Sequence, residues 1–130
     1  GNVFISVKDA DKQHVVPIAR EFAEAGFKIH ATRGTLGLLQ AAGVPAELTY
    51  KLSEGRPNVL DLIKNGDMQF IINTPHGKIP RQDEVAIRSA AVANRIPIMT
   101  TLRGARMSIR AIKAIKAGGY GVKCLQEYQA

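Results

Sequence analysis

Tryptophan is missing from these 130 residues, and aromatic side chains make up only 5% of them. No aromatic pair alternates along a strand-like segment, so nucleic-acid binding by stacking bases on a sheet is not expected. Cysteine occurs once, as Cys124. That excludes an internal disulfide and a cysteine metal cluster, and it fits a reducing compartment. The thiol is expected to be packed. No apolar run approaches the ~20 residues that cross a bilayer, and no secretory signal opens the sequence. A cytoplasmic location without membrane contact is therefore expected. Acidic residues are in deficit, 11 against 18 basic, giving a formal charge of +7. Such a balance favours an anionic partner: a nucleotide, a nucleic acid or an acidic protein face.

What is present suits one domain over residues 1–130, with 45% hydrophobic residues to build a core. The first residue is Gly1, not methionine, and an apolar stretch follows at once. The chain is expected to be a piece of a longer one. No linker, internal repeat or low-complexity segment divides it.

Strand-like and helix-like segments alternate. Val3 to Val7 is a short apolar run rich in β-branched residues and reads as a buried strand. Val15, Ile18, Ala19, Phe22 and Ala23 then recur at helical spacing, with Asp9 or Asp11 placed to cap the start and Gly26 the end. Pro17 conflicts with one helix running from Asp11, so a separate turn around Asp9 to His14, or a local distortion, is expected. Phe27 to Ala31 is a second strand, Thr35 to Ala42 a short helix, and Ala46 to Tyr50 a weak edge strand. Asn58 to Lys64 is a short helix and Met68 to Asn73 a strongly apolar strand. Asp83 to Asn94 is a helix with Val85, Ile87, Ala90, Ala91 and Val92 available for burial. Ile96 to Met99 is a fifth strand, Arg103 to Lys116 a closing helix, and Val122 to Leu125 a short final strand. This alternation implies a parallel sheet with right-handed crossovers in a three-layer α/β domain. Ligands of such sheets sit outside the carboxyl ends of the strands.

Donor groups collect at those ends. Ser6, Lys8 and Lys12 follow the first strand, and Thr32-Arg33-Gly34-Thr35 the second. Lys51 and then Glu54-Gly55-Arg56-Pro57 follow the third, and Asn73-Thr74-Pro75-His76-Gly77-Lys78 the fourth. Thr100-Thr101 follow the fifth. Helix N–H groups, hydroxyls and cations suit a phosphate. Capping alone accounts for Thr35 or Asn58 taken singly. Four corners of the same donor character favour an anion site.

Other chemistries find no support. The first strand lacks GxGxxG, and the second ends in Thr32 rather than an acidic ribose partner, so a dinucleotide is not expected. No GxxxxGK[ST] is present. His14, His30 and His76 have no ligand-like spacing, so no metal is expected, and His30 reads as structural. Ser89 and Ser108 fall inside helices and suit no nucleophile elbow. On the last helix Arg103, Arg106, Arg110 and Lys113 share one face, across from Ala105, Ile109 and Ile112. A solvated face accounts for this; a contact surface for an acidic partner is the sharper alternative.

The ordered set "FISVKDADK", "GFKIHATRGT", "KLSEGRPNVLDLIKNG", "FIINTPHG" and "TTLRGA" resembles the carboxyl-terminal regulatory domain of carbamoyl-phosphate synthase large chains, in the methylglyoxal-synthase-like fold. That resemblance implies a five-stranded parallel sheet of order 3-2-1-4-5 and an allosteric mononucleotide site. In enteric-type enzymes uridine monophosphate (UMP) inhibits and inosine monophosphate (IMP) activates. By motif position the contacts would come from Lys12, Thr32, Thr35, Lys51, Asn73 and Thr74, with Ser6 and Gly34 as nearby donors. Pro75 stands where the family often has threonine and offers neither hydroxyl nor N–H. The resemblance further implies a catalytically silent domain without cofactor or metal of its own. Its parent ligase would use ATP with Mg or Mn, glutamine-derived ammonia and bicarbonate, for arginine and pyrimidine synthesis. Its partners would be the rest of the large subunit and the small glutaminase subunit. Homo-oligomer contacts, or a purely structural association module, are the non-binding alternative.

Relatives of the same fold supply the enzymatic rivals. A methylglyoxal synthase needs a catalytic carboxylate after the third strand. Arg56 falls at that place, and a guanidinium cannot act as the base. Asp61 is expected to be solvated, and Asp9 alone makes no enzyme. The "KTLHPK"-type stretch of inosine monophosphate cyclohydrolases is missing.

Overall fold

The computed structural model describes residues 1–52, 54–74 and 79–118. Five strands, β1 (Asn2–Ser6), β2 (Lys28–Ala31), β3 (Glu47–Leu48), β4 (Phe70–Asn73) and β5 (Ile98–Met99), form one sheet of order β3-β2-β1-β4-β5. Every pairing is parallel. The helices are α1 (Lys12–Glu24), α2 (Arg33–Ala41), α3 (Val59–Lys64), α4 (Arg81–Ala93) and α5 (Leu102–Gly118). The architecture is the expected three-layer one, with strand order as the resemblance implied. The sequence-predicted strand Val122 to Leu125 and Cys124 lie outside the described residues.

Right-handed crossovers decide which face each helix covers. The chain steps outward from β1 to β3, placing α1 and α2 on one face; it then returns through β4 to β5, placing α3 and α4 on the other. Two apolar clusters follow. One joins Ile5, Ile72, Phe22 and Leu39 to Ala105 and Ile109 of α5. The second joins Phe4 and Ile71 to Val59, Ile63, Ile87 and Ala91. Both faces of the sheet are thus buried, which is why the central strands read as unbroken apolar runs.

The start of α1 meets the expectation raised by Pro17 only in part. A single 3-10 turn, Asp9–Asp11, precedes the helix, so the separate turn is present but shorter than expected. Pro17 stays inside α1, on its exposed side. Asp11 occupies the cap position but its side chain makes no capping bond. At the other end Gly26 has φ +94, a left-handed conformation that costs glycine little. Its N–H donates to Ala23 O and the Phe27 N–H to Phe22 O, both at 3.0 Å. Phe27 packs edge-on against Phe22 at 5.3 Å, the apolar contact that accompanies this type of helix end.

Two expectations for α4 are corrected. The helix begins at Arg81, and Val85 and Val92 are 58% and 72% exposed rather than buried. Ile87 and Ala91, four apart, set the inward stripe, and at 100° per residue both valines point away from it.

Candidate anion site at the strand ends

The last complete row across the sheet is Leu48, Ala31, Ile5, Ile72 and Met99. One residue further along each strand the chemistry changes: Thr49, Thr32, Ser6, Asn73 and Thr100. Ser6 and Asn73 are still register partners, and the Thr49 N–H donates to Ala31 O at 2.9 Å. Side chains alternate across a strand, so this polar row projects to the same face as Phe4 and Ile71, above α3 and α4. Four of its members, Ser6, Thr32, Thr49 and Asn73, are buried.

The start of α2 lies beside this row and differs from the sequence reading. Thr32, not Thr35, occupies the N-cap, in extended backbone, and its side chain makes no capping bond. Thr35 is the third helical residue and is buried. The N–H groups of Arg33, Gly34 and Thr35 precede the first helical acceptor and point past the helix end, where the macrodipole is positive. Lys12 reaches the same spot. A Cβ added at Gly34 would stand 2.9 Å from Lys12 Nζ. The ammonium also pairs with Asp9 Oδ1 at 2.8 Å. The resemblance grouped Lys12, Gly34 and Thr35 by motif; here they are spatial neighbours.

The loop after β3 forms the adjoining wall. The Lys51 N–H donates to Glu54 Oε1 at 2.9 Å, and Arg33 Nε approaches Glu54 Oε2 at 3.5 Å. The Lys51 N–H is the main reason the Glu54 carboxyl is held below its usual range; the Arg33 and Lys51 charges add to it against an opposing desolvation. Arg33 also lies over the Tyr50 ring, 5.6 Å from its centre. It therefore ties the start of α2 to this loop. Asn58 caps α3 and forms a reciprocal capping box with Asp61. Asp61 is thus not simply solvated: it accepts from the Asn58 N–H at 2.9 Å and faces Arg56 Nε at 3.4 Å.

A small pocket opens between this wall and α4. Thr32, Tyr50 and Lys51 line it on one side, Phe4 and Ile87 at its base, and Asp83 on the other side. Thr74 has a different place. Its hydroxyl accepts from the Lys8 N–H at 2.8 Å and its own N–H donates to Ser6 O at 3.2 Å, bracing the ends of β1 and β4. Ser53 and Pro75, His76, Gly77 and Lys78 lie outside the described residues. Thr49, Tyr50 and Asp83 were not singled out from sequence. Thr49 lay inside a weak edge-strand segment, and Asp83 served only to mark the start of a helix. Among the described residues no His, Cys, Asp and Glu cluster could hold a metal, and no helix is long and apolar enough to cross a membrane.

A family model described as the MGS-like domain matches residues 14–100. The carbamoyl phosphate synthase large chain of Nostoc sp. is 46% identical over 98% of this chain, but the match spans 12% of that protein. The carbamoyl phosphate synthase large chain, C-terminal section, of Methanocaldococcus jannaschii is 47% identical over the whole chain and 21% of its own length. A solved methylglyoxal synthase from Elizabethkingia anophelis superposes with TM-score 0.66 over 83% of this chain and 76% of its own, at 16% identity, a likeness of fold alone. The chain therefore belongs to the MGS-like domain family, in the branch represented by carbamoyl phosphate synthase large chains.

Proposed function

We propose that this domain binds a mononucleotide at the strand ends and regulates a larger carbamoyl-phosphate-forming ligase. The observation that carries the reading is the meeting of Lys12 with the uncapped amino end of α2, beside the row Thr32, Ser6 and Asn73. The α2 N–H groups and the Lys12 ammonium suit a phosphate, which would take Asp9's place on Lys12. Lys51 and Asn73 supply polar contacts beyond it. Asp83, the carboxylate of the adjoining pocket, accepts hydrogen bonds from a ribose diol or a base N–H. Thr74 contributes through its remaining hydroxyl proton.

The domain itself is regulatory rather than catalytic. Arg56 stands where an enzymatic relative needs a base, and Asp61 is engaged by Asn58 and Arg56. Differential affinity of the nucleotide for two states of the parent enzyme shifts its activity. The parent would join ammonia, bicarbonate and ATP-derived phosphoryl groups, with Mg or Mn, alongside its glutaminase partner.

Calorimetric titration with UMP and with IMP tests this reading. Saturable binding by one of them is expected, weakened by Lys51→Ala and by Thr35→Ala. No heat with either at millimolar concentration, or robust release of methylglyoxal from dihydroxyacetone phosphate, overturns it.

A further inference from the structure

The exposed large hydrophobics among the described residues are Val85, Val92 and Met107. Met107 stands alone on α5, but the two valines share α4. A β-branched side chain is stiff in a helix and lowers its propensity, so valine at an open helical position brings no local gain. The inner side of α4 is settled: Ile87 and Ala91 are buried with Phe4 and Ile71. α5 packs on the opposite face of the sheet, with Ile5 and Ile72, so its cations belong to a different surface.

On the outer side of α4, Arg81, Val85, Arg88 and Val92 follow at spacings of four, three and four, and all of them are exposed. At 100° per residue they fall within about 60° of one another. They therefore form one stripe along nearly the whole helix, in which cationic and apolar residues alternate. Among the described residues neither arginine is in an ion pair. The acids of the same helix lie off the stripe: Asp83 lines the pocket and Glu84 is half-buried. A solvated face accounts for the arginines; it does not account for the valines that alternate with them.

We infer that the outer stripe of α4 is the docking surface for an acidic helical face elsewhere in the parent chain. This rests on the reading that the domain belongs to a larger ligase, and not on its nucleotide site. Spacings of four and three are those of helix-on-helix packing, in which side chains of one helix fill the gaps of the other. The planar fork of arginine pairs with carboxylates in bidentate fashion, and arginine is enriched at protein interfaces. The match spans 12% of the Nostoc sp. relative and 21% of the Methanocaldococcus jannaschii one, so most of each polypeptide lies outside this domain. A partner in the same polypeptide is present at high effective concentration, and a narrow stripe then suffices. A second copy of the stripe offers neither arginine a carboxylate. Valines have no use on a phosphate backbone, and α4 holds no aromatic residue on which a base would stack. Asp83 and Ile87 of the same helix line the pocket, so the docking surface and the pocket share one element.

Photochemical carbene labelling read by mass spectrometry tests this without nucleotide, on the 130-residue chain and on the complete parent chain. Val85, Arg88 and Val92 are expected to label in the short chain and to lose most of that labelling in the parent. In the parent, Arg88→Glu is expected to restore labelling at the two valines. The pair Val85→Ser and Val92→Ser is expected to restore it at Arg88 with the charge unchanged. Arg88→Lys, treated with a carbodiimide, is expected to crosslink to an aspartate or glutamate of the parent outside this domain. Thermal melts of the short chain confirm that each variant folds. Equal labelling in the two chains, protection in the parent that survives the substitutions, or the lack of such a crosslink overturns the inference. So does protection of the short chain that grows with its own concentration or with added oligouridylate. None of these outcomes depends on nucleotide binding.

Discussion

Lys12 Nζ stands 2.9 Å from where a side-chain carbon at Gly34 would be, so these two residues define one spot although they belong to different helices. Position 34 is the second residue of α2, where alanine is a better helix former than glycine by up to about 1 kcal/mol. The clashing atom is the end of a flexible side chain. Gly34→Ala should therefore fold as well as the wild type or slightly better, while pushing the ammonium off the helix end. A charge-assisted contact contributes about 1.5–3 kcal/mol. Nucleotide affinity measured by calorimetry should fall about tenfold or more, with the melting temperature unchanged or raised. A variant that binds normally would separate Lys12 from the phosphate.

Thr49 Oγ1 is buried and has no hydrogen-bond partner among the described residues. An unpaired buried hydroxyl costs about 1–3 kcal/mol of desolvation, and valine has nearly the same shape without it. Thr49→Val should raise stability to chemical denaturation by about 1 kcal/mol. A loss of stability would mean that the hydroxyl is satisfied in solution.

How much of this was readable in the sequence differs by level. The strands were legible because both faces of the sheet are buried, so Phe4 and Ile5, or Ile71 and Ile72, are apolar in succession. Asn58 was legible as a cap because the signal is local. Thr35 was misplaced by one turn, since Thr32 and Thr35 are equally good cap residues and only the backbone decides between them. Val85 and Val92 were assigned to the core because apolarity was counted without fixing the phase of the helix. The row Thr49–Thr32–Ser6–Asn73–Thr100 depends on the register of five strands, which no local pattern encodes. The meeting of Lys12 with Gly34 was implied by family resemblance and had no basis in spacing, because more than twenty residues separate them.

Burial lowers the His30 pKa below its ordinary value of 6.5 and outweighs the opposing effect of Glu47; Lys28 adds to the lowering and Asp67 opposes it. Its Nε2–H donates to Asn2 Oδ1 at 2.8 Å, a bond the neutral ring can make. The unfolded chain takes up a proton as pH falls through about 6.5, and the folded chain resists it. Stability should therefore be full above that pH and decline below it, before most carboxylates titrate. The melting temperature should drop between about pH 7 and pH 5.5, and His30→Gln should flatten that part of the profile. An unchanged slope in the variant would assign the effect to other groups.

Arg95 ends α4 with φ 58, a left-handed conformation. Its N–H donates to Val92 O at 3.2 Å and the Ile96 N–H to Ala91 O at 2.8 Å, the same pair of bonds that Gly26 allows at the end of α1. A residue with a Cβ pays about 1–2 kcal/mol for this backbone, partly offset by the freedom glycine would have in the unfolded chain. Arg95→Gly should accordingly raise stability by about 0.5–1 kcal/mol in thermal or urea unfolding. A loss of stability instead would mean that the Arg95 side chain makes a contact in the folded chain that outweighs the backbone cost.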